Sequence, residues 1–240
     1  MIAKGGRNVY GQAIGILMLE TKFPRIPGDM GNATTWDFPV VYRIVKGATP
    51  VRVIKEADPT LLEPFIEAAK DLENVGVRAI TTVCGFLAIF QEEIANAVNI
   101  PVFTSSLMQI PLVYRMLRND QKVGLITGDP ASLTKEHLAA VGADSVPMVA
   151  VGIKDKELSR VVMNDELTLD VDKVRSDLVM AAHSLVSQHP EVGAIVMECA
   201  NFPPYARAIQ KEIGLPIFDI YTLTNMVYSA LVRNDFVGSM

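Results

Sequence analysis

The sequence predicts an α/β protein built from two similar lobes, each a four-stranded, mainly parallel sheet flanked by helices, with a cleft between them. Three observations predict this. Apolar, β-branched runs alternate with helix-period segments from end to end, the pattern of parallel strands joined by crossover helices. The runs fall into two groups of four in the same order, and the third run of each group ends in a cysteine. Half of the 240 residues are hydrophobic, enough for a sizeable core.

In the first group the strands are expected at Ala13 to Leu19, Val40 to Val45, Val77 to Val83 and Val102 to Thr104. Pro59 opens a helix around Leu61 to Leu72, because proline tolerates the first helical turn, and Gly76 suits its C-terminal end. The uncharged stretch Ile94 to Tyr114 reads as helix, strand, helix, since Pro101, Pro111 and several polar residues break it as a membrane span. In the second group the strands are expected at Val123 to Thr127, Val146 to Val151, Gly193 to Cys199 and Ile217 to Ile220. Val171, Val174, Leu178, Ala181, Ala182 and Leu185 form one apolar face of a helix over Val171 to Ser187, which sends Asp177 and His183 toward its other faces. Pro203 and Pro204 open a helix around Tyr205 to Ile213, closed by Gly214. The first lobe is therefore expected over residues 1–118, completed by the C-terminal helix 221–240, and the second over 119–220.

A formal net charge of -5 with no basic block leaves no footprint for nucleic acid or an anionic membrane. The expected partner is a small carboxylate or acyl substrate, with a homo-oligomer as the expected assembly. "MIAKGGRNVYGQ" lacks the apolar run and cleavage site of a secretory signal, which points to a cytoplasmic setting with reduced thiols. The two cysteines lack the close pairs of a zinc site, so no metal is expected.

Those cysteines carry the functional reading. Cys84 ends "AITTVC" and Cys199 ends "AIVMEC", each followed by a turn and a helix. A lone cysteine ending a strand is more often an inert small apolar residue. The matched placement argues otherwise, because ligands of parallel sheets bind beyond the carboxyl ends of strands, and helix N-terminal amides lower a thiol pKa and hold anions. Two thiols across a cleft, too far apart for a disulfide, would let one thiolate remove a proton from a carbon acid while the other returns one. Such chemistry needs no cofactor, only donors for the substrate carboxylate and the developing enolate. Candidates are Thr81, Thr82, Gly85, Thr104, Ser105, Ser106, Thr127, Gly128 and Ala200, each a weak signal alone because serine and threonine are common caps.

At these residues the chain resembles the aspartate/glutamate/hydantoin racemase superfamily: a cysteine ending a strand in each half, "GILMLET" near the start, "KVGLITG" opening the second half and "GLPIFDI" near the end. The segment Gly15 to Pro50 is similar to a bacterial branch and, more distantly, to the algal dimethylsulfoniopropionate lyases of the superfamily. The resemblance implies a two-lobed fold and a cofactor-independent mechanism with Cys84 and Cys199 as acid and base. Glu20-Thr21 is similar to the acid-hydroxyl pair that ends the first strand of glutamate racemases. Departures are Cys84-Gly85-Phe86 and Cys199-Ala200-Asn201, where amino-acid racemases carry more polar motifs, which puts aspartate or glutamate in doubt as substrate.

Glu198 is expected to point away from Cys199 on a regular strand, as a cap or interlobe ion-pair partner as readily as a chemical group. Asn201 either caps a helix or touches substrate. His137, His183 and His189 fall in or at the ends of second-lobe helices and receive no role. The long Lys22 to Phe38 loop reads as a lid or cleft wall, with Trp36, Phe38 and Tyr42 either excluding water or packing the loop down. The expected activity is racemisation or epimerisation, with a lyase as runner-up; a decarboxylase, a non-catalytic ligand binder and a redox pair follow.

Overall fold

The computed structural model describes residues 2–239, and in it the chain forms two four-stranded sheets, each entirely parallel. The first contains β1 (Ile14–Leu19), β2 (Val40–Val45), β3 (Ala79–Thr82) and β4 (Val102–Phe103) in the spatial order β2-β1-β3-β4. The second contains β5 (Lys122–Thr127), β6 (Met148–Gly152), β7 (Val192–Met197) and β8 (Ile217–Phe218) in the order β6-β5-β7-β8. The orders correspond strand for strand, so β3 and β7 hold equivalent inner positions and deliver Cys84 and Cys199 to equivalent edges.

The helices of the first lobe are α1 (Leu62–Val75), α2 (Gln91–Ala97) and α3 (Ile110–Tyr114). Those that follow are α4 (Lys135–Ala139), α5 (Glu157–Asn164), α6 (Val171–Gln188), α7 (Ala206–Ile213) and α8 (Ile220–Leu231). The proline and glycine signals operate as expected. Pro59 and Pro203 each open a short 3-10 turn leading into α1 and α7, while Gly76 and Gly214 close those helices at φ 108° and 70°. That left-handed conformation suits glycine, which lacks the Cβ that makes it costly. None of the helices within the described residues is long and apolar enough to cross a membrane.

Three groups of buried side chains hold the molecule together. One packs β1 and β3 against α1 through Ile14, Ile16, Phe65 and Leu72, and also takes in Ile220 and Leu223 of α8. A second packs β7 against α6 and α7 through Ile195, Leu178 and Ile209. The third joins the lobes: Ala88, Leu107 and Ile110 of the first chain half meet Val123, Leu125 and Val196 of the second sheet. Each of the larger apolar side chains contributes roughly 1.5–3 kcal/mol on full burial. The lobes are therefore joined by apolar packing directly behind the strand ends.

Some expectations need correction. Asp177 is buried rather than turned outward, and its carboxylate accepts the backbone N–H of Glu157 at 3.3 Å, which satisfies the first turn of α5. The C-terminal helix expected over 221–240 runs from Ile220 only to Leu231, and the described residues beyond it, 232–239, are not helical. Trp36 and Phe38 do not face the cleft. They stack on Tyr221 and Tyr228 of α8, with ring centroids 5.7 and 3.7 Å apart, while the Tyr42 hydroxyl donates to the Met30 carbonyl at 3.1 Å. These aromatics pack the Lys22 to Phe38 loop onto the first lobe, the second of the two roles expected for them.

Candidate functional site

Both cysteines line one cavity between the lobes. β3 ends at Thr82, and its hydroxyl donates to the carbonyls of Thr104 at 2.6 Å and Cys84 at 3.1 Å, which fixes the turn that presents Cys84. Cys84 precedes a 3-10 segment, Gly85–Phe90, whose Leu87 N–H donates to the Cys84 carbonyl at 3.0 Å, and the Phe86 and Leu87 amides favour the thiolate electrostatically. On the other lobe the Ser106 hydroxyl crosses to the carbonyls of Met197 at 2.7 Å and Glu198 at 3.2 Å, which secures the end of β7. The Cys199 thiol lies 3.5 Å from the Asn201 side-chain oxygen. Asn201 in turn donates to Asp29 at 2.6 Å, and Asp29 accepts from Arg25 at 2.9 Å, so the Lys22 to Phe38 loop is tied to the second thiol.

Glu198 stands between the two thiol-bearing turns. Regular alternation would send it away from Cys199, but β7 ends at Met197, and both side chains reach the same cavity. Its Oε2 accepts from the Thr127 hydroxyl at 2.8 Å and the Gly128 N–H at 3.3 Å. Its Oε1 lies against Gly85, where a Cβ would collide with both the carboxyl and the carbonyl of Glu198.

The cavity is small, ≈ 50 Å³, and largely apolar. Phe23, Phe86 and Phe202 form aromatic walls, and Leu158, Val162 and Met163 of α5 cover one side. Its basic residues are each paired with an aspartate: Arg25 with Asp29, just outside the lining, and Lys55 with Asp129, an ion pair that joins the lobes; Glu198 has no such partner among the described residues. A second interlobe link runs from the backbone N–H groups of Lys22 and Phe23 to the Asp165 carboxylate, at 2.7 and 3.0 Å.

The electrostatics reverse the expectation that helix amides lower the thiol pKa values. Burial, followed by the nearby Glu198 charge, pushes Cys84 up to about 12 despite the Phe86 and Leu87 amides. Cys199 is raised well above the usual thiol range by the same two causes in the same order. Burial also lifts Glu198 to about 7, against the opposing pull of Thr127 and Gly128. At this site the loss of solvent outweighs the few amide and hydroxyl contacts that each anion receives.

A raised carboxyl pKa has a definite sign for stability. Glu198 favours folding fully below its ordinary value of 4.5, and that contribution is lost as pH rises through about 7. Between about pH 4.5 and pH 8 the loss amounts to about 3 kcal/mol. Glu198→Gln keeps an acceptor for Thr127 and removes the charge, so urea unfolding of this variant is expected to lack that part of the pH dependence. Parallel curves for wild type and variant across the interval would contradict it.

Of the expected site residues, Cys84, Cys199, Gly128 and Asn201 line the cavity, while Thr82, Gly85, Ser106 and Thr127 support it from behind through the contacts above. The remaining candidates stand elsewhere. The exposed Glu20 accepts the Gly47 N–H at 2.8 Å, Thr21 accepts from Arg25 at 3.1 Å, and Ser105 caps the Leu107 N–H at 3.2 Å. Thr81 donates to the Phe103 carbonyl at 2.8 Å, Thr104 bonds Gln91 at 2.8 Å, and Ala200 is buried in the first-lobe core. Arg25, Lys55 and Asp129 also line the cavity, and of the three only Asp129, a charge two residues beyond the strand end at Thr127, carries a signal in the sequence. His137 is buried and meets Phe86 edge-on at 5.5 Å, so it supports a cavity wall from α4. Among the described residues no group of three or more His, Cys, Asp or Glu is arranged to hold a metal ion.

Comparison with known proteins places this geometry in context. Residues 52–224 match the family model described as Asp/Glu/Hydantoin racemase. The chain is 29% identical over 238 residues to a dimethylsulfoniopropionate lyase from Durusdinium sp. clade D, covering 96% of this chain and 79% of the relative. It is 31% identical over 236 residues to dimethylsulfoniopropionate lyase 3 of Emiliania huxleyi (strain CCMP1516), covering 94% of this chain but only 61% of that relative's length. Among solved structures, a mutant of arylmalonate decarboxylase in a sulfate-associated form superposes with TM-score 0.64 at 16% identity, over 93% of this chain and 95% of that one. Picrophilus torridus aspartate racemase gives TM-score 0.59 at 16% identity, over 94% and 96%. At these identities the structural likeness concerns the fold.

Proposed function

The chain belongs to the Asp/Glu/hydantoin racemase family, and from that premise we propose that it removes a proton from the carbon next to a carboxylate and eliminates a leaving group from the neighbouring carbon. The observation that carries the reading is the pair of thiols on one small apolar cavity, with the Phe86 and Leu87 amides close enough to Cys84 to favour its charged form. Those amides favour the thiolate, and Cys84 is the thiol with such a pair, so it takes the role of base.

The cavity also bears on the substrate. Its arginine and lysine are each neutralised by an aspartate, and Glu198 adds negative charge, so a dicarboxylic amino acid meets no surplus of positive charge. A zwitterion whose cation is apolar fits better, because sulfonium methyl groups pack against Phe23, Phe86 and Phe202 and gain from the ring faces. Dimethylsulfoniopropionate has this character, and lyases acting on it are similar to this chain over most of its length.

In the reaction, the Cys84 thiolate takes the proton next to the carboxylate, and the electron pair of the broken C–H bond forms the new C=C bond. The C–S bond breaks with its electrons retained by sulfur, which leaves as neutral dimethyl sulfide, and the other product is acrylate. The apolar wall keeps water away from the developing carbanion. A second reading, racemisation, is favoured by Cys199 lining the same cavity, since a proton donor on the opposite face is needed to invert configuration.

Incubation in heavy water, followed by NMR, tests the proposal with dimethylsulfoniopropionate and a panel of chiral carboxylates, amino acids and hydantoins. Acrylate and dimethyl sulfide are the expected products. Deuterium entry with inversion and no alkene would transfer the assignment to racemisation, and silence across the panel would overturn both.

A further inference from the structure

We infer that Asp29 and Asn201 are positioning residues for the second thiol: the Asp29 carboxylate turns the Asn201 amide so that its oxygen accepts the Cys199 S–H, which holds Cys199 as the protonated thiol and leaves Cys84 as the single base. The inference deepens the proposed elimination and rests on it for its place in turnover. A chain of hydrogen bonds carries it. Arg25 Nη1 and the Gly31 N–H donate to Asp29 Oδ1 at 2.9 and 2.7 Å, Asn201 Nδ2 donates to Asp29 Oδ2 at 2.6 Å, and the Cys199 thiol donates to Asn201 Oδ1 at 3.5 Å. Asp29 is 3% exposed and Asn201 7%, so water does not compete for these contacts.

The direction of the amide follows from donor and acceptor chemistry. A carboxylate paired with arginine only accepts, so Asn201 must turn its NH2 group toward Asp29, and its carbonyl oxygen is left for the thiol. Asparagine before a helical turn commonly serves as a cap. Here Phe202 holds that position ahead of Pro203–Tyr205, and no side chain caps the turn. Among the described residues the Asn201 side chain engages Asp29 and Cys199 alone. The two thiols therefore differ. Cys84 makes its hydrogen bonds through its backbone, with none at the sulfur among the described residues. Loss of the Cys199 proton would set a sulfur anion against a carbonyl oxygen, and a hydrogen bond to the neutral form disfavours the charged one. The Asn201 backbone N–H pulls toward the thiolate, but burial, then the charge of Glu198, with Asp29 adding to them, keeps the thiol well above its usual range. Racemisation would need Cys199 as the base for one of the two enantiomers, whereas an elimination needs one base throughout.

The experiment uses the full chain carrying Cys84→Ser, which leaves Cys199 as the single cysteine, and records its S–H stretch by Raman spectroscopy near neutral pH, in a window free of other protein bands. One narrow band is expected, at lower frequency than that of a simple alkanethiol dissolved in alkane, where the S–H has no acceptor. Adding Asn201→Leu, which keeps the shape and removes the acceptor, should return the band to the alkane position. Adding Asp29→Ala, which frees the amide to turn, should broaden the band and raise it. A purely structural Asp29 would instead lower the melting temperature and leave the band unmoved, and that result would overturn its positioning role. A band at the alkane position with Asp29 and Asn201 intact would overturn the inference, as would the absence of any S–H band, which marks a thiolate; neither result needs a variant at Asp29 or Asn201 to fold. The readout needs no substrate: a lowered band in an enzyme that leaves the whole substrate panel untouched defeats the proposed elimination and preserves the holding of Cys199, while turnover with the band at the alkane position defeats the holding alone.

Discussion

Cys84→Ser is expected to lower kcat/KM by about 10³-fold or more, because a serine hydroxyl yields too little alkoxide near neutral pH to serve as a carbon base. The substitution changes one buried atom, so the protein should fold and melt much as before, separating chemistry from stability. Cys199→Ser then distinguishes the outcomes. In an elimination with Cys84 as the dedicated base, this variant keeps a substantial share of the rate, since no proton has to be returned from the opposite face. In a racemase both variants lose inversion. If each thiol serves one face, the two variants instead reverse their preference when the opposite enantiomer of a substrate with a good leaving group is supplied. Undiminished turnover by Cys84→Ser would remove the thiol from the mechanism and return it to the reading of a small apolar residue ending a strand.

Gly85→Ala is expected to damage both stability and turnover. Its backbone is not in the left-handed region; what forbids a side chain is the approach of Glu198, whose carboxyl and carbonyl both lie where the new methyl would sit. Part of the obstacle is backbone across the lobe interface, so a rotamer change in Glu198 does not relieve it. Relief requires the lobes to part, which costs about 1–3 kcal/mol by the scale of overpacked cores and displaces Cys84 from its partners. A displacement approaching 1 Å at a reacting group carries a loss of roughly 10²-fold in rate. Gly128→Ala, where a Cβ meets no atom within 4 Å, is the stability control. Denaturant melts and kcat that match wild type in Gly85→Ala would show that the lobe contact is looser than described.

The sequence made the sheets legible because parallel strands buried on both faces are continuous apolar runs, as in Val123 to Thr127 and Val192 to Met197. It made the two thiols legible because their strands hold equivalent positions. Glu198 was less legible for a local reason: alternation along β7 holds only while the strand lasts, and the strand stops one residue before it. The pairing of Trp36 and Phe38 with α8 joins residues almost the whole chain apart, and no spacing rule encodes such a contact. Glu20 and Thr21 follow a strand end as the thiols do, but Glu20 turns to the Gly47 amide. The α5 wall was missed because a short amphipathic helix shows which face is apolar, not what that face covers.

The proposal that a Cys84 thiolate breaks a C–H bond beside a carboxylate can be read from the substrate itself. Dimethylsulfoniopropionate deuterated on the carbon next to the carboxylate is compared with the undeuterated compound by the rate of acrylate formation at low substrate concentration. The expected result is a slower reaction of the deuterated compound with wild-type enzyme, a slowing preserved in Cys199→Ser, and no acrylate from either compound with Cys84→Ser. Acrylate formed at an undiminished rate by Cys84→Ser, with the same isotope sensitivity as wild type, would contradict the account and assign proton removal to another group in the cavity.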